Sequence, residues 1–199
     1  MFLFCTKVSF LCNAYLKNGD LSSIKNIVYL CNVINYIVKM KYLNETVRRQ
    51  DRLLEEEKAL RLLQTAEYGI LSMQAVGGGG YGIPVNYVWD GAHSIYIHCA
   101  PEGEKLRCIS ACERVAFCVV GATHLVPDKF TTGYESIVLT GTARTGLSEA
   151  ERMKALELLL DKLSPEDKVV GMKYAEKSFH RTEIIRLDID NWSGKCKRV

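Results

Sequence analysis

What this chain lacks narrows it before any motif is found. It holds eight cysteines, yet none pairs as Cys-x-x-Cys, and Cys108 and Cys112 are spaced for one helix face rather than for a zinc knuckle. No structural metal is expected, and the thiols read as free in a reducing, cytoplasmic setting. No apolar run is long enough to span a bilayer: Asn26–Lys39 is short and broken by Asn32 and Asn35. A secretory signal would need a continuous apolar core and a small-residue cleavage site, and neither stands out. There is also no real excess of positive charge. The formal +3 lies wholly in residues 1–39, where four lysines meet one aspartate, so residues 40–199 carry 22 basic and 22 acidic side chains. A neutral body offers no footprint for nucleic acid. The Gly77–Gly80 run is followed by neither Gly-Lys-Ser/Thr nor a helix, which argues for a hairpin tip rather than a phosphate loop.

What is present divides at Met40. Residues 1–39 are rich in Phe, Leu, Ile, Asn and Tyr without a clear period. They are read as translated upstream sequence ahead of a true start at Met40, with a short membrane-surface helix as the alternative. Residues 40–199 are expected to form the domain. A helix is expected over Asn44–Ala66, a strand over Tyr68–Val76, and a return strand over Tyr81–Trp89. Asp90-Gly91 suits a hairpin turn into a third strand, Ser94–His98. Helix Glu104–Cys112, strand Val115–Val120, a loop over His124–Thr132 and strand Ser136–Thr145 follow. Gly141 within that last strand suggests a bulge or a close backbone approach. Ser148-Glu-Ala-Glu151 is a capping box for a helix reaching Leu163, and a helical stretch Glu166–Ser178 precedes strand Glu183–Asp188. Strands in hairpin order with helices between them predict a mainly β fold with peripheral helices: a small closed or split β-barrel.

The stretch Ser94-Ile-Tyr-Ile-His-Cys-Ala-Pro-Glu-Gly-Glu-Lys105 carries the chemistry. A strand ending on His98 turns through Pro101 and Gly103 into a helix opened by Glu104 and Lys105. That delivers an imidazole, an ammonium and free backbone N–H groups to one place, which suits an anion. Cys99 is the one cysteine placed to react, and Lys105 with the helix start is expected to lower its pKa. Lys105 is either a phosphate ligand or a surface lysine, and Arg107 either supports it or is simply solvated. Trp89 and Trp192 read as packing residues, and His124 and His180 as surface residues.

Taken in series, Ile83-Pro-Val-Asn-Tyr-Val88, Ile95-Tyr-Ile-His-Cys-Ala with Gly103-Glu-Lys105, Phe130-Thr-Thr132 with Tyr134, Ser136-Ile-Val138 and Gly141, and Ile184-Ile-Arg-Leu-Asp188 with Gly194-Lys195 resemble the pyridoxamine 5′-phosphate oxidase-like superfamily. Within it the similarity is greatest to Nim-type 5-nitroimidazole-resistance proteins. The resemblance implies a split-barrel homodimer binding flavin mononucleotide (FMN) between subunits, and an oxidoreductase passing electrons from reduced flavin to a small acceptor such as a nitroaromatic. It further implies that Pro84, Val85, Asn86 and Tyr87 lie along the flavin ring, with alternate side chains facing it. The turn from His98 through Cys99 to Lys105 would hold the phosphate, and Thr131, Thr132 and Ser136 would give hydroxyls to the cleft. His98 is the candidate catalytic residue; its alternatives are a phosphate or ribityl contact and a plain strand-end histidine. Cys99 stands where the subfamily often has Ser. Two other functions stay open. One is a flavin or haem binder without turnover. The other is pyridoxal phosphate handling, whose substrate-binding arginines are not found near the C-terminus and for which Arg186 and Lys195 are the candidate substitutes.

Overall fold

The first pairing among the described residues is made by an extended segment rather than by a helix. The computed structural model describes residues 40–45 and 47–199; the expectation about residues 1–39 lies outside them. Strand β1 (Lys41–Tyr42) pairs in parallel with the C-terminal strand beside Asn191 and Trp192. A 3₁₀ turn follows at Gln50–Arg52, and Leu53 bridges Lys195. Leu54, 2% exposed, donates its N–H to Gly194 O at 3.1 Å. The helix expected from Asn44 therefore starts only at Glu56: burying Leu54 against the last strand outweighs the helical propensity of the residues before it. Helix α1 (Glu56–Thr65) buries Ala59, Leu62 and Leu63, spaced three and four apart as one helix face requires.

Strands β2 (Tyr68–Gln74) and β3 (Gly80–Asn86) form the expected hairpin over the glycine tip. Beyond Asn86 the return strand breaks: Tyr87 leaves the ladder, and β4 (Val88–Trp89) pairs instead with β5 (Ser94–Cys99). Helix α2 (Glu104–Ala111) leads to β6 (Arg114–Val126) and β7 (Thr131–Arg144). Helices α3 (Glu149–Leu163) and α4 (Lys168–Ser178) precede β8 (Glu183–Lys197). The Ser148 hydroxyl accepts from the Glu151 N–H at 3.3 Å, the capping contact its sequence calls for; such caps contribute about 1 kcal/mol. Among the described residues no helix is long and apolar enough to cross a membrane.

The sheet order β3-β2-β6-β7-β8-β5-β4 explains the shape. Its two end strands, β3 and β4, are joined in the chain by Tyr87 alone, so the sheet must curl until its ends meet. No ladder joins β3 to β5, which leaves a seam, and the result is a split β-barrel. Leu71, Ile97, Phe117, Val119, Ile137, Leu139, Ile185 and Leu187, none with any exposure, fill it. A second cluster, Val88, Ala155, Leu156, Leu159 and Ile184, holds α3 outside β4, β5 and β8.

Two strands are longer than their apolar patterns suggest. β6 continues through an irregularity between Val120 and Thr123 to pair Leu125 with Thr132 and Val126 with Thr131, so the expected loop is a projecting two-stranded arm. β8 runs fifteen residues with a shift opposite Thr140 and Gly141. Asp190 is the extra residue, and Ile185, Leu187 and Ile189 are buried before it while Trp192 and Gly194 are buried after it. Gly141 permits this because a Cβ there would stand 2.0 Å from the Asp188 carbonyl oxygen.

Tyr87, at the closure, is fully buried. Its hydroxyl donates to Leu63 O at 2.6 Å, and its ring meets Phe117 edge-on at 5.0 Å. The Lys162 ammonium lies 3.8 Å from the ring centroid, buried and without a hydrogen-bond partner among the described residues. Desolvation pulls the Lys162 pKa down to about 8.

Two outcomes follow. Gly141→Ala should cost about 2–3 kcal/mol in denaturant-derived stability, because the backbone of two strands would have to separate. The Lys162 contribution to stability, read as wild type minus Lys162→Met, should also rise as pH goes from 8 toward 10, since the folded chain releases this proton near 8 and the unfolded chain only near 10.5. Burial raises the Cys99, Cys108 and Cys118 thiols, which act in the opposite direction in both proteins. Above 10 both proteins should lose stability, because burial holds the Tyr42 and Tyr96 hydroxyls up at about 12 in the fold. Denaturant midpoints of the two proteins measured across this range should therefore diverge up to 10 and then fall together.

Candidate functional site

The turn after β5 is built to leave donors unpaired. Gly103 adopts φ 138°, a conformation that favours glycine, and no side chain caps the helix it opens. The first N–H groups of α2 therefore lack a side-chain acceptor. Lys105, in this first turn, is half-buried and has no ion-pair partner among the described residues. Arg107 does have one, holding Glu104 at 2.5 Å, while Glu102, the second acid of the turn, is exposed and lines the neighbouring depression. Lys105 lies close enough to act electrostatically on both His98 and Cys99. Beside the turn is an open depression of about 540 Å³, lined by Val76, Pro101, Gly103, Leu106 and Ala111 among others. It is too shallow to enclose a cofactor unaided.

His98 and Cys99 are neighbours with opposite outlooks. His98 lies opposite Ile184 of β8 on the outer face and is exposed. Desolvation, and then the Lys105 charge, push its pKa below the ordinary imidazole value, so it is neutral at pH 7. Cys99 packs against the barrel core instead. Burial pushes its thiol up, Glu183 adds to that, and the opposing pull of Lys105 is the smaller effect. The expectation of an activated thiolate is thus corrected: Cys99 is a protonated thiol turned away from the His98 side.

Alternation sorts the residues of β3 and its continuation. Val85 points inward with Tyr81 and Ile83 and packs on the core, and Tyr87 has no exposed surface. Tyr87 therefore turns its side chain away from the outer face and Val85 largely so, in keeping with the expected alternation along this stretch. Pro84 and Asn86 face outward and are exposed. The Asn86 amide donates to Glu67 O at 3.0 Å. Proline is tolerated here because β3 is an edge strand.

Ser136 and the two threonines lie elsewhere. Pro84 faces Ile70, Ile70 faces Cys118 and Cys118 faces Val138 across three ladders. In the next row Asn86 faces Tyr68, and Val120 faces Ser136. Three ladder steps are about 14 Å, so one chain does not bring Ser136 to Asn86. Thr131 and Thr132 sit farther out on the β6–β7 arm, where Thr131 accepts a hydrogen bond from the Lys197 ammonium. Arg186 is paired with two carboxylates, Glu151 at 2.6 Å and Asp188 at 2.8 Å, which balance its charge. His124 and His180 are exposed, and Trp192 is packed at 2% exposure. The described cysteines are free thiols.

One feature of the outer face escaped the residue pattern. Tyr68, Val120 and Val138 are 59%, 56% and 43% exposed and, with Ile70 and Cys118, form an apolar strip between Asn86 and Ser136. The signal was there: β2 and β6 are apolar at outward as well as inward positions, which a sheet facing only water does not need.

Comparison with known proteins places the architecture. A 5-nitroimidazole antibiotic resistance protein from Bacteroides thetaiotaomicron superposes with a TM-score of 0.63 at 16% identity, over 73% of this chain and 86% of that one. The flavocytochrome Anf3 from Azotobacter vinelandii gives 0.63 at 17% identity, over 76% and 72%. A FAD- and haem-binding protein from Mycobacterium smegmatis gives 0.57 at 22%, over 74% of each. At these identities the likeness is one of fold. No curated protein matches the chain. Its own sequence is more telling, for residues 55–196 match the family described as pyridoxamine 5′-phosphate oxidase, and the chain belongs to that family.

Proposed function

We propose that the protein is a homodimeric FMN-binding flavoprotein that passes electrons from reduced flavin to a small acceptor such as a nitroaromatic. The observation that carries this is the turn at Lys105: an ammonium without an ion-pair partner among the described residues, at a helix start with no side-chain cap, beside a neutral imidazole. These groups fit a phosphate in charge and donor supply. When bound, the flavin would supply the electron-transfer chemistry. The chain's part is to hold the phosphate with Lys105 and the α2 N–H groups, to set Pro84 and Asn86 along the outer face, and to place His98. As a free base, His98 can take up a proton at a ring nitrogen and hand it on as the acceptor is reduced.

Dimerisation is supported by the apolar strip. Five outward side chains from Tyr68 to Val138 form the contiguous patch that soluble monomers rarely show. Covering it with a second copy would also bring another Ser136 toward Asn86. A second function, haem binding without turnover, draws on His98: an exposed, neutral imidazole is the form that ligates iron. Two of the similar structures are a flavocytochrome and a FAD- and haem-binding protein.

The visible spectrum of the purified protein separates these functions. Flavin absorbance, retained or gained on incubation with FMN, is expected; a Soret band abolished in His98→Ala would establish haem instead. A colourless protein that takes up neither would end both. Lys105→Ala should weaken FMN binding about tenfold or more, the scale of a lost charge-assisted contact, with an unchanged melting temperature. Equal affinity would remove Lys105 from the site.

A further inference from the structure

Helix α4 has no buried residue, because only one of its faces meets the protein. Gly171 packs so close to Leu160 of α3 that a Cβ there would stand 2.5 Å from its side chain. Ala175 and Phe179, four and eight residues on, pack against the cluster that holds α3. The opposite face, set by the same spacing, carries Val169, Lys173 and Lys177 in one row and Val170 and Tyr174 in the next. Val169 is 73%, Val170 52% and Tyr174 66% exposed. Lys168 pairs with Glu157 at 3.0 Å and Asp161 at 2.7 Å, so these acids of α3 are engaged between the two helices. Lys173, Lys177 and Arg181 have no ion-pair partner among the described residues. Glu176 stands at the edge of the face, and Glu166 and Asp167 precede its first turn.

The C-terminal end of this face lies at the Lys105 turn. Arg152 of α3 sits 4.3 Å from the centroid of the Phe179 ring and donates to Phe179 O at 3.0 Å, which fixes the chain as it passes through His180 and Arg181 into β8. Glu183, the first residue of β8, faces Cys99 at the end of β5. Arg181 is two residues earlier, so its Cα lies within about 13 Å of that of Cys99, where the turn begins. The apolar strip lies on β2, β6 and β7, whereas α3 covers β4, β5 and β8 and carries α4 on its outside. A dimer formed through the strip leaves α4 open.

We propose that the outer face of α4, with Arg181, docks a small acidic one-electron carrier protein that delivers electrons to the flavin. The assignment rests on the flavoprotein function proposed above and adds its electron donor. Three unpaired cations set among two valines and a tyrosine complement an acidic protein surface: charge steers the approach and the apolar side chains make a brief contact. A helix of this length is about 16 Å long, which suits the small interfaces of transient electron-transfer pairs rather than a stable complex. A bilayer is matched less well, because no Trp, Phe or Leu stands on the face to insert. Three cations are also a poor footprint for nucleic acid. Two reduced carriers each lose one electron, and the two electrons, with two protons from solvent, convert oxidised to reduced flavin.

The test mixes the full-length, FMN-loaded chain in a stopped flow with photoreduced plant-type ferredoxin, an acidic one-electron carrier, as the probe. Lys173→Glu/Lys177→Glu should lower the second-order rate of flavin reduction at least tenfold at low ionic strength and flatten its salt dependence. The same variant should keep the wild-type melting temperature, FMN affinity and rate of reduction by dithionite, since both side chains are exposed. Tyr174→Ala should lower the ferredoxin rate while keeping the salt slope. A wild-type chain that ferredoxin does not reduce, or a charge-reversed chain reduced at the wild-type rate, would overturn the docking face. Co-sedimentation of the wild-type chain with phosphatidylserine vesicles, abolished by the same reversal, would overturn it too and give the face to a bilayer. Ferredoxin binding to the immobilised chain without FMN separates docking from the flavin function. Failure to take up FMN ends that function, whereas salt-sensitive binding lost on charge reversal still upholds the face. No binding at all overturns the face and leaves a flavin spectrum standing.

Discussion

The chain crosses from one end of its sheet to the other through a single residue, so whatever fixes Tyr87 fixes the barrel. Its hydroxyl is bound to the Leu63 carbonyl and its ring is held between Phe117 and the Lys162 ammonium. These contacts join three parts of the molecule: the end of α1, the first part of β6 and the last turn of α3. A buried phenol needs its partner, since an unmet hydroxyl costs on the order of 1–3 kcal/mol. The cation above the ring is partly compensated by the ring's quadrupole. With the closure pinned there, β3 is left as an edge whose outward residues face the seam, and β5 ends where its turn can present Lys105. The geometry of the candidate site is thus set by a residue whose side chain turns away from it.

Much of the architecture was legible in the residues, and the exceptions share a cause. Gly141 announced a bulge because no other residue tolerates the Asp188 carbonyl so near. Ser148 with Glu151 announced a helix start, and Gly77–Gly80 a hairpin tip; all three are local signals. The misreadings arose where a distant strand decided the outcome. Leu53 and Leu54 look helical in isolation but are captured by the backbone of β8. The break at Tyr87 follows from sheet closure, which no neighbouring residue encodes. The β6–β7 arm reads as a loop because its residues do not alternate against a core it never meets. In the site, the turn from His98 to Lys105 was visible as a motif, while the side each residue faces was not. Val85 and Cys99 are ordinary members of their motifs until the register turns them inward.

The functional proposal has the same division of scale. Charge, free donors and a neutral imidazole are properties of a dozen consecutive residues. Enclosure is not. The turn borders an open depression, and the remaining polar candidates stand on the far side of an apolar strip. A monomer with this surface holds the parts of a site without its walls, so association and ligand binding would be thermodynamically linked.

The extra residue in β8 has a separate consequence. Asp190 shifts the phase of the strand by one, so odd positions face the interior on one side of it and even positions on the other. Its carboxylate bonds Arg114 at 2.6 Å on the exposed face, a contact worth little in itself. The value of the position lies in being counted rather than in what occupies it. Many side chains should serve there, whereas an in-frame deletion would turn Trp192 to solvent and carry every residue after it to the wrong face. Sequences of this family are therefore best aligned as two blocks around this point, with the spacing between them treated as a character in its own right.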